Sequence, residues 1–338
     1  MRGPRIIGLV LALGGCGDDA ASVDAGGNDG SATTCTPTAG WITAPAVGSG
    51  PTQETATVAL AGKLYMIGGF DADLAVVDTL QIFDTVACAW SLGPTLPRPV
   101  HHANAAVHGG RIYVLGAMET INFTTVGHVW SWAPGDTEWQ IHASMVAGQA
   151  RGAGVAATIG DRIYLAGGLR GGSVSQLSAY DPATDTWDVT LPALPISRDH
   201  GCGGAVGGTL YMTGGRSTSI TGLQGEVYAY TPGGAWELKA AMPTPRGGTA
   251  CGVVDGLHIV VVGGEGNGAA ASGVFPQVEA YTPATNTWTQ LDPMVTPRHG
   301  MGAAAIGNSL YVPGGATVQA FGAVDTFEIL TLVTPIGL

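Results

Sequence analysis

The chain has 338 residues, 55 of them glycine, with only 11% charged residues and 45% hydrophobic ones. That balance suits many short buried strands joined by tight turns, and it excludes a fold of amphipathic helices with charged outer faces. The net charge of -12 becomes -14 once the first fifteen residues, with Arg2 and Arg5, are set aside. Such a chain repels DNA, RNA and anionic headgroups, so no nucleic-acid partner is expected.

The first segment, MRGPRIIGLVLALGGC, has a basic start, an apolar run from Ile6 to Leu13 and small residues before Cys16. It reads as an export signal over residues 1–15, with an apolar run too short for a permanent transmembrane helix. Leu13, Gly14, Gly15 and Cys16 resemble the lipobox of bacterial lipoproteins. The resemblance implies cleavage before Cys16 and acylation of its thiol. Gly17 in place of Asp implies the outer membrane, with plain secretion as the other outcome. Residues 17–34, GDDAASVDAGGNDGSATT, cannot bury enough surface to offset their ordering entropy, so 16–34 is expected to be an acylated, flexible tether. On this reading the lipid anchor is the chain's one link to a membrane.

From residue 35 to about 335 a fixed period governs the sequence. KLYMIGGF, RIYVLGAM, RIYLAGGL, TLYMTGGR, HIVVVGGE and SLYVPGGA place their first small residues at Gly68, Gly116, Gly167, Gly214, Gly263 and Gly314, at intervals of 48, 51, 47, 49 and 51. Each run lacks polar alternation, as a strand covered on both faces does. A second series, Trp41, Trp90, Trp139, Trp187, Trp236 and Trp288, keeps the period but starts ahead of the first glycine pair. Aromatic, turn and tryptophan follow one another in YDPATDTW, YTPGGAW and YTPATNTW, where proline presets a β-turn. Each unit is predicted to be a four-stranded antiparallel meander, with strands a to d.

The double glycine, spaced aromatic, tryptophan and Pro-Arg resemble the kelch repeat. The resemblance implies an all-β, six-bladed propeller of four-stranded antiparallel blades, and the early phase of Trp41 predicts that its strand completes blade six. Departures are Ala117 for a second glycine, Pro313 in the run of unit six, and Gln53 and Glu54 where other units have arginine.

The two faces of such a ring differ. The a to b turns are short, whereas the b to c connections, such as METINFTTVGH and EGNGAAASGVFPQ, are long and varied, as binding loops on a rigid scaffold are. The d to a connections reach the same face and carry Arg98, Arg151, Arg198, Arg246 and Arg298, with His102, His200 and His299 near them. Arginines, His200 and His299 together are candidates for binding carboxylates or acidic groups at the mouth. The competing reading is that arginine belongs to the kelch pattern and ties blades through backbone carbonyls.

The three histidines come from different blades, and no Cys or carboxylate joins them at ligand spacing, so neither a metal nor another cofactor is expected. His101, His108, His128, His142 and His258 follow no common phase and are expected to be exposed or locally hydrogen-bonded. An exported chain permits disulfides. Cys35 and Cys88 precede Trp41 and Trp90 on neighbouring blades, where a bond would lock the closure. Cys202 and Cys251 hold equivalent places on adjacent inner strands, whose separation weighs against a bond.

The functional expectation is a monomeric, non-catalytic binding or scaffold module that offers its loop-rich face to a protein or glycan. The kelch resemblance also admits an enzyme. A copper radical oxidase would need a tyrosine and histidine copper constellation with a cross-linked cysteine, and no such set stands out in this sequence. A sialic acid mutarotase would need only acid and base groups in the mouth, here Arg198, His200, Arg298, His299 and Glu265.

Overall fold

Short strands rich in Val, Ala, Tyr and Gly cannot bury both faces alone, and the chain resolves this by radial stacking. The computed structural model describes residues 35–332, so the expected signal segment, Cys16 and the tether lie outside the described residues. Six four-stranded antiparallel sheets appear, and no helix occurs among the described residues. Blade 1 comprises Ala56–Leu60, Lys63–Ile67, Leu80–Asp84 and Ala89–Leu92 as strands a to d. The next four blades repeat that order, starting at Ala105, Val155, Cys202 and Ala250. Blade 6 takes Ala304–Ile306, Ser309–Pro313 and Phe327–Thr331 from the end of the chain.

Its fourth strand is Gly40–Thr43, which pairs with Phe327–Thr331 and sets Trp41 opposite Leu330. The phase of Trp41 thus foretells the closure. Its indole N–H donates to the carbonyl of Asp292, 3.2 Å away in the connection between blades 5 and 6. Trp90, Trp139, Trp236 and Trp288 likewise donate to a carbonyl 44 to 48 residues earlier, in the preceding connection. In five of the six blades the tryptophan is therefore a clamp on its neighbour, whereas the Trp187 indole N–H of blade 3 has no hydrogen-bond partner among the described residues.

Apolar cores fill the spaces between successive blades. Ile67, Leu80, Val114 and Trp130 join blades 1 and 2, for example, and Phe83, Tyr311, Phe327 and Ile329 join blades 6 and 1. The a strands face the axis and are built from Ala, Gly and Val because six backbones converge there; they line a channel of about 500 Å³.

The departures have local consequences. Most glycine pairs kink the chain at positive φ, 62° and 115° at Gly167 and Gly168. Ala117 sits outside that conformation, and blade 2 instead runs on as two nine-residue strands, Arg111–Glu119 and Thr124–Trp132. Pro313 is tolerated because it ends its strand beyond Tyr311, the last residue of that strand paired with strand a.

Both cysteine pairs are disulfide-bonded. Cys35 joins Cys88 across the blade 6 to blade 1 seam with Cα atoms 5.5 Å apart. Cys202 joins Cys251 with Cα atoms 5.8 Å apart. The expectation of a wider gap at the second pair is corrected: a strands near the axis approach one another closely, and glycines such as Gly203 and Gly252 flank the cysteines.

Candidate functional site

The arginine ring predicted from the sequence does not line the mouth. Arg151, Arg198, Arg246 and Arg298 are fully buried, and their guanidiniums point into the blades. Arg151 donates to the carbonyls of Gly167, Gln149 and Leu165 at 2.8 to 3.0 Å and to the Ser178 hydroxyl at 3.1 Å. Arg198 reaches the carbonyls of Gly214 and Glu226. Arg246 pairs with Glu279 at 2.5 Å and Arg298 with Glu328 at 2.8 Å. Meanwhile the carbonyls of Arg198, Arg246 and Arg298 accept the N–H of Gly168, Gly215 and Gly264 in the preceding blade. Each residue thus fastens two blades, its side chain in one and its backbone to the other.

Arg98 belongs to a different place. Val100 makes the matching backbone bond, to Gly69, and Arg98 is an exposed partner of Glu119 at 2.6 Å. In blade 1 the matching residue is Thr52, whose carbonyl accepts from Gly315. Gln53 and Glu54 therefore fall one and two positions beyond the arginine site.

Two positions beyond it, all six connections meet at the axis. Glu54, His102, Ala153, His200, Gly248 and Gly300 each adopt positive φ, between 51° and 65°. Each N–H donates to the carbonyl of the preceding residue in this set, and Glu54 closes the circle onto Gly300. The other five bonds measure 2.8 to 3.1 Å. This belt caps the channel on the loop-rich face. Its left-handed backbone suits glycine and strains the larger residues, yet three of the six carry Glu or His.

Those three side chains converge. His102 Nε2 lies 2.9 Å from His200 Nε2 and 3.0 Å from Glu54 Oε2. They border a cavity of about 110 Å³. The sequence reading that separate blades keep these histidines apart, with no carboxylate near, is corrected: the closed belt turns all six connections onto one axis, where Glu54 meets His102 from the next repeat and His102 meets His200 from two repeats on, across the small side chain of Ala153. His299 also reaches the site, with Nδ1 3.7 Å from Glu54 Oε1 and 3.6 Å from Glu265 Oε2. Arg216 bridges Asp199 at 3.2 Å and Glu265 at 2.5 Å. Of the groups expected for sugar chemistry, His200, His299 and Glu265 gather here, whereas Arg198 and Arg298 do not. Glu54, Asp199, Arg216 and His101 were missed as site residues.

Burial alone would raise the Glu54 carboxyl, but His102, with His299 and His200, holds it well below the usual carboxylate range. Burial, then Arg216, lowers His200. Burial, then His102, takes His101 from 6.5 down to about 3. Folded His101 and His200 therefore bind fewer protons than the unfolded chain. Their contribution to stability is whole above about 6.5 and is lost as the pH falls below that, for His101 down towards 3. The melting temperature is expected to fall across that window, and His101→Asn is expected to flatten the profile. A profile equally steep in the variant would exclude His101 as a source.

Six blades, a hydrogen-bonded axial belt and one elaborated face define a repeat propeller with its polar site on the axis. A profile of the KLHDC2/KLHL20/DRC7 Kelch-repeats domain matches residues 8–215, and the Kelch motif matches residues 245–295. The chain is 31% identical to Kelch-like protein terF of Aspergillus terreus, over 98% of this chain and 73% of that protein. It is 28% identical to Kelch-like protein 23 of Mus musculus and 26% identical to Kelch-like protein 36 of Bos taurus, over 75% and 78% of this chain. It spans only 43% and 44% of the length of those two relatives. The chain belongs to the kelch-repeat family.

Proposed function

We propose that this protein is an exported, lipid-anchored, monomeric binding module that holds its loop-rich face towards a protein in the cell envelope. The observation that carries this reading is apolar surface on that face. Leu74, Ile121, Val318 and Phe321 are 38 to 44% exposed, and all lie on long connections of the adjacent blades 6, 1 and 2. Beneath them Phe70 is buried, its ring 5.9 Å from Phe321 and 6.3 Å from Phe123. Clustered aliphatic and aromatic side chains on a rigid frame suit protein recognition, and the aliphatic share favours a protein over a glycan. Acylation at Cys16, with residues 17–34 as spacer, would leave this face free to meet its partner.

An array of envelope peptides and glycans, probed with the wild type and with an Ile121→Asp, Phe321→Asp chain, tests the face. Binding should fall at least tenfold with the melting temperature unchanged; binding that survives the double change refutes the reading. Labelling with a fatty-acid analogue tests the anchor separately. Cys16→Ser should abolish the label and move the protein from the membrane to the soluble fraction.

A further inference from the structure

We propose that Glu54, His102 and His200 bind one divalent first-row transition-metal ion at the axial belt. The three ligand atoms lie within 4.8 Å of one another. They come from blades 1, 2 and 4, and the belt fixes the backbone of all three.

The hydrogen-bond network assigns the ring protons. His200 Nδ1 sits 2.5 Å from Asp199 Oδ1 and donates to that carboxylate, which Arg216 pins from the other side. His101 Nε2 donates to the Thr120 carbonyl at 3.0 Å, which leaves its Nδ1 as an acceptor. His102 Nδ1, 2.5 Å from that atom, must then be the donor. Both outer nitrogens are thus committed, and the inward-facing Nε2 atoms of His102 and His200 carry lone pairs. Glu54, ionised, offers only lone pairs as well.

With His102 and His200 both neutral, three acceptors therefore face one another with no donor between them; a second proton on His102 would be the donor that holds Glu54 ionised when no cation is bound. A cation resolves the conflict. Imidazoles whose second nitrogen donates to a carboxylate or to another fixed acceptor are the usual form of metal-bound histidine, because that bond sets the tautomer and raises ligand basicity. Two imidazoles and a carboxylate suit zinc, or iron(II), rather than calcium or magnesium, which prefer all-oxygen sets. Ligand bonds of about 2.1 Å in tetrahedral geometry separate ligand atoms by roughly 3.4 Å. The observed 2.9 and 3.0 Å open to that with shifts of a few tenths of an ångström.

A second observation is independent of this trio. His299 is fully buried, and its Nδ1 has no hydrogen-bond partner among the described residues. Its Nε2 donates to the Val318 carbonyl at 2.9 Å, so Nδ1 is an unused acceptor facing the second oxygen of Glu54. A water completing the ion's coordination would give that nitrogen its missing donor. The neighbouring belt positions, Gly248 and Gly300, carry no side chain of their own, and with Glu54, His102 and His200 they border the cavity of about 110 Å³.

The test uses the full chain with Cys16→Ser, free of affinity tag, stripped by chelator and titrated calorimetrically with Zn²⁺, Co²⁺, Ca²⁺ and Mg²⁺. One Zn²⁺ or Co²⁺ per chain is expected, with a cobalt visible spectrum of low-coordinate N and O ligation, and Ca²⁺ and Mg²⁺ are expected to bind at least a hundredfold more weakly. Glu54→Gln and His200→Gln, shown to be folded by circular dichroism, should each weaken Zn²⁺ binding at least a hundredfold. Asp199→Asn, which removes the charge behind His200 and one of the two carboxylates on Arg216, should cost roughly ten- to a hundredfold. Zn²⁺ binding unchanged in the folded variants would overturn the proposal. So would a wild type that takes up no transition metal; nitrogen NMR showing a doubly protonated His102 imidazole at neutral pH would then identify a shared proton in the metal's place.

Discussion

Arg246→Ala is expected to destabilise the protein by about 3–5 kcal/mol, a drop of roughly 10 °C in melting temperature. The side chains of Arg246 and Glu279 are 0% and 3% exposed and 2.5 Å apart. Removing the guanidinium leaves the charge of a buried carboxylate uncompensated. It also strips donors from the carbonyls of Gly263, Thr244 and Val261. Arg246→Lys should recover little, since a point charge cannot serve several fixed acceptors at once. The double change Arg246→Met, Glu279→Leu should recover more than half the loss, because removing both charges removes the desolvation problem. Arg98→Ala should cost less than about 1 kcal/mol, as an exposed pair does. Urea unfolding of the four variants measures all of this. Equal losses for Arg98 and Arg246 would show that the two arginines are equivalent after all.

That contrast locates where sequence pattern and structure part. The glycine pairs and tryptophans made the blade number, the strand count and the closure through Trp41 legible, because each is a residue type that a blade needs at one place. The arginines were harder to place. Four mark the d to a connection, but Arg98 stands two residues before the matching Val100, and matching by residue type drew it into a ring to which it does not belong. Matching by phase instead puts Glu54, His102, Ala153, His200, Gly248 and Gly300 in one column, at intervals of 48, 51, 47, 48 and 52. Two histidines and a glutamate in a column otherwise filled by small residues are the signal that could have found the site. Metal-ligand spacing within one hairpin or helix does not show it, because a closed ring brings equivalent positions of all repeats to its axis. The hydrogen bonds that fix the tautomers, through Asp199 and His101, depend on side-chain geometry and have no such column.

Replacing Cys35 and Cys88 together by serine is expected to cost about 4 kcal/mol at 25 °C by the loop-entropy argument for a bond of this span, the separation being 53 residues. The effect should concentrate at one seam. Every other blade is a continuous segment of chain, but blade 6 borrows the four-residue strand Gly40–Thr43 from the far end of the sequence. Backbone bonds to Phe327–Thr331 and the Trp41 contact with Asp292 hold it there, and Cys35 anchors its leading end to blade 1 among Phe83, Phe327 and Ile329. Without the bond, fraying of that strand exposes both the seam core and the edge of strand c. Hydrogen exchange should therefore speed up at Ile42, Ile329 and Leu330 well before it does in blades 3 and 4. The Cys202→Ser, Cys251→Ser chain removes a crosslink of similar span, 49 residues, but between a strands already joined by continuous chain through blade 4. Its loss of global stability should be similar and its seam amides should keep their protection. Equal exchange at the seam in both variants would mean that strand pairing alone closes the ring.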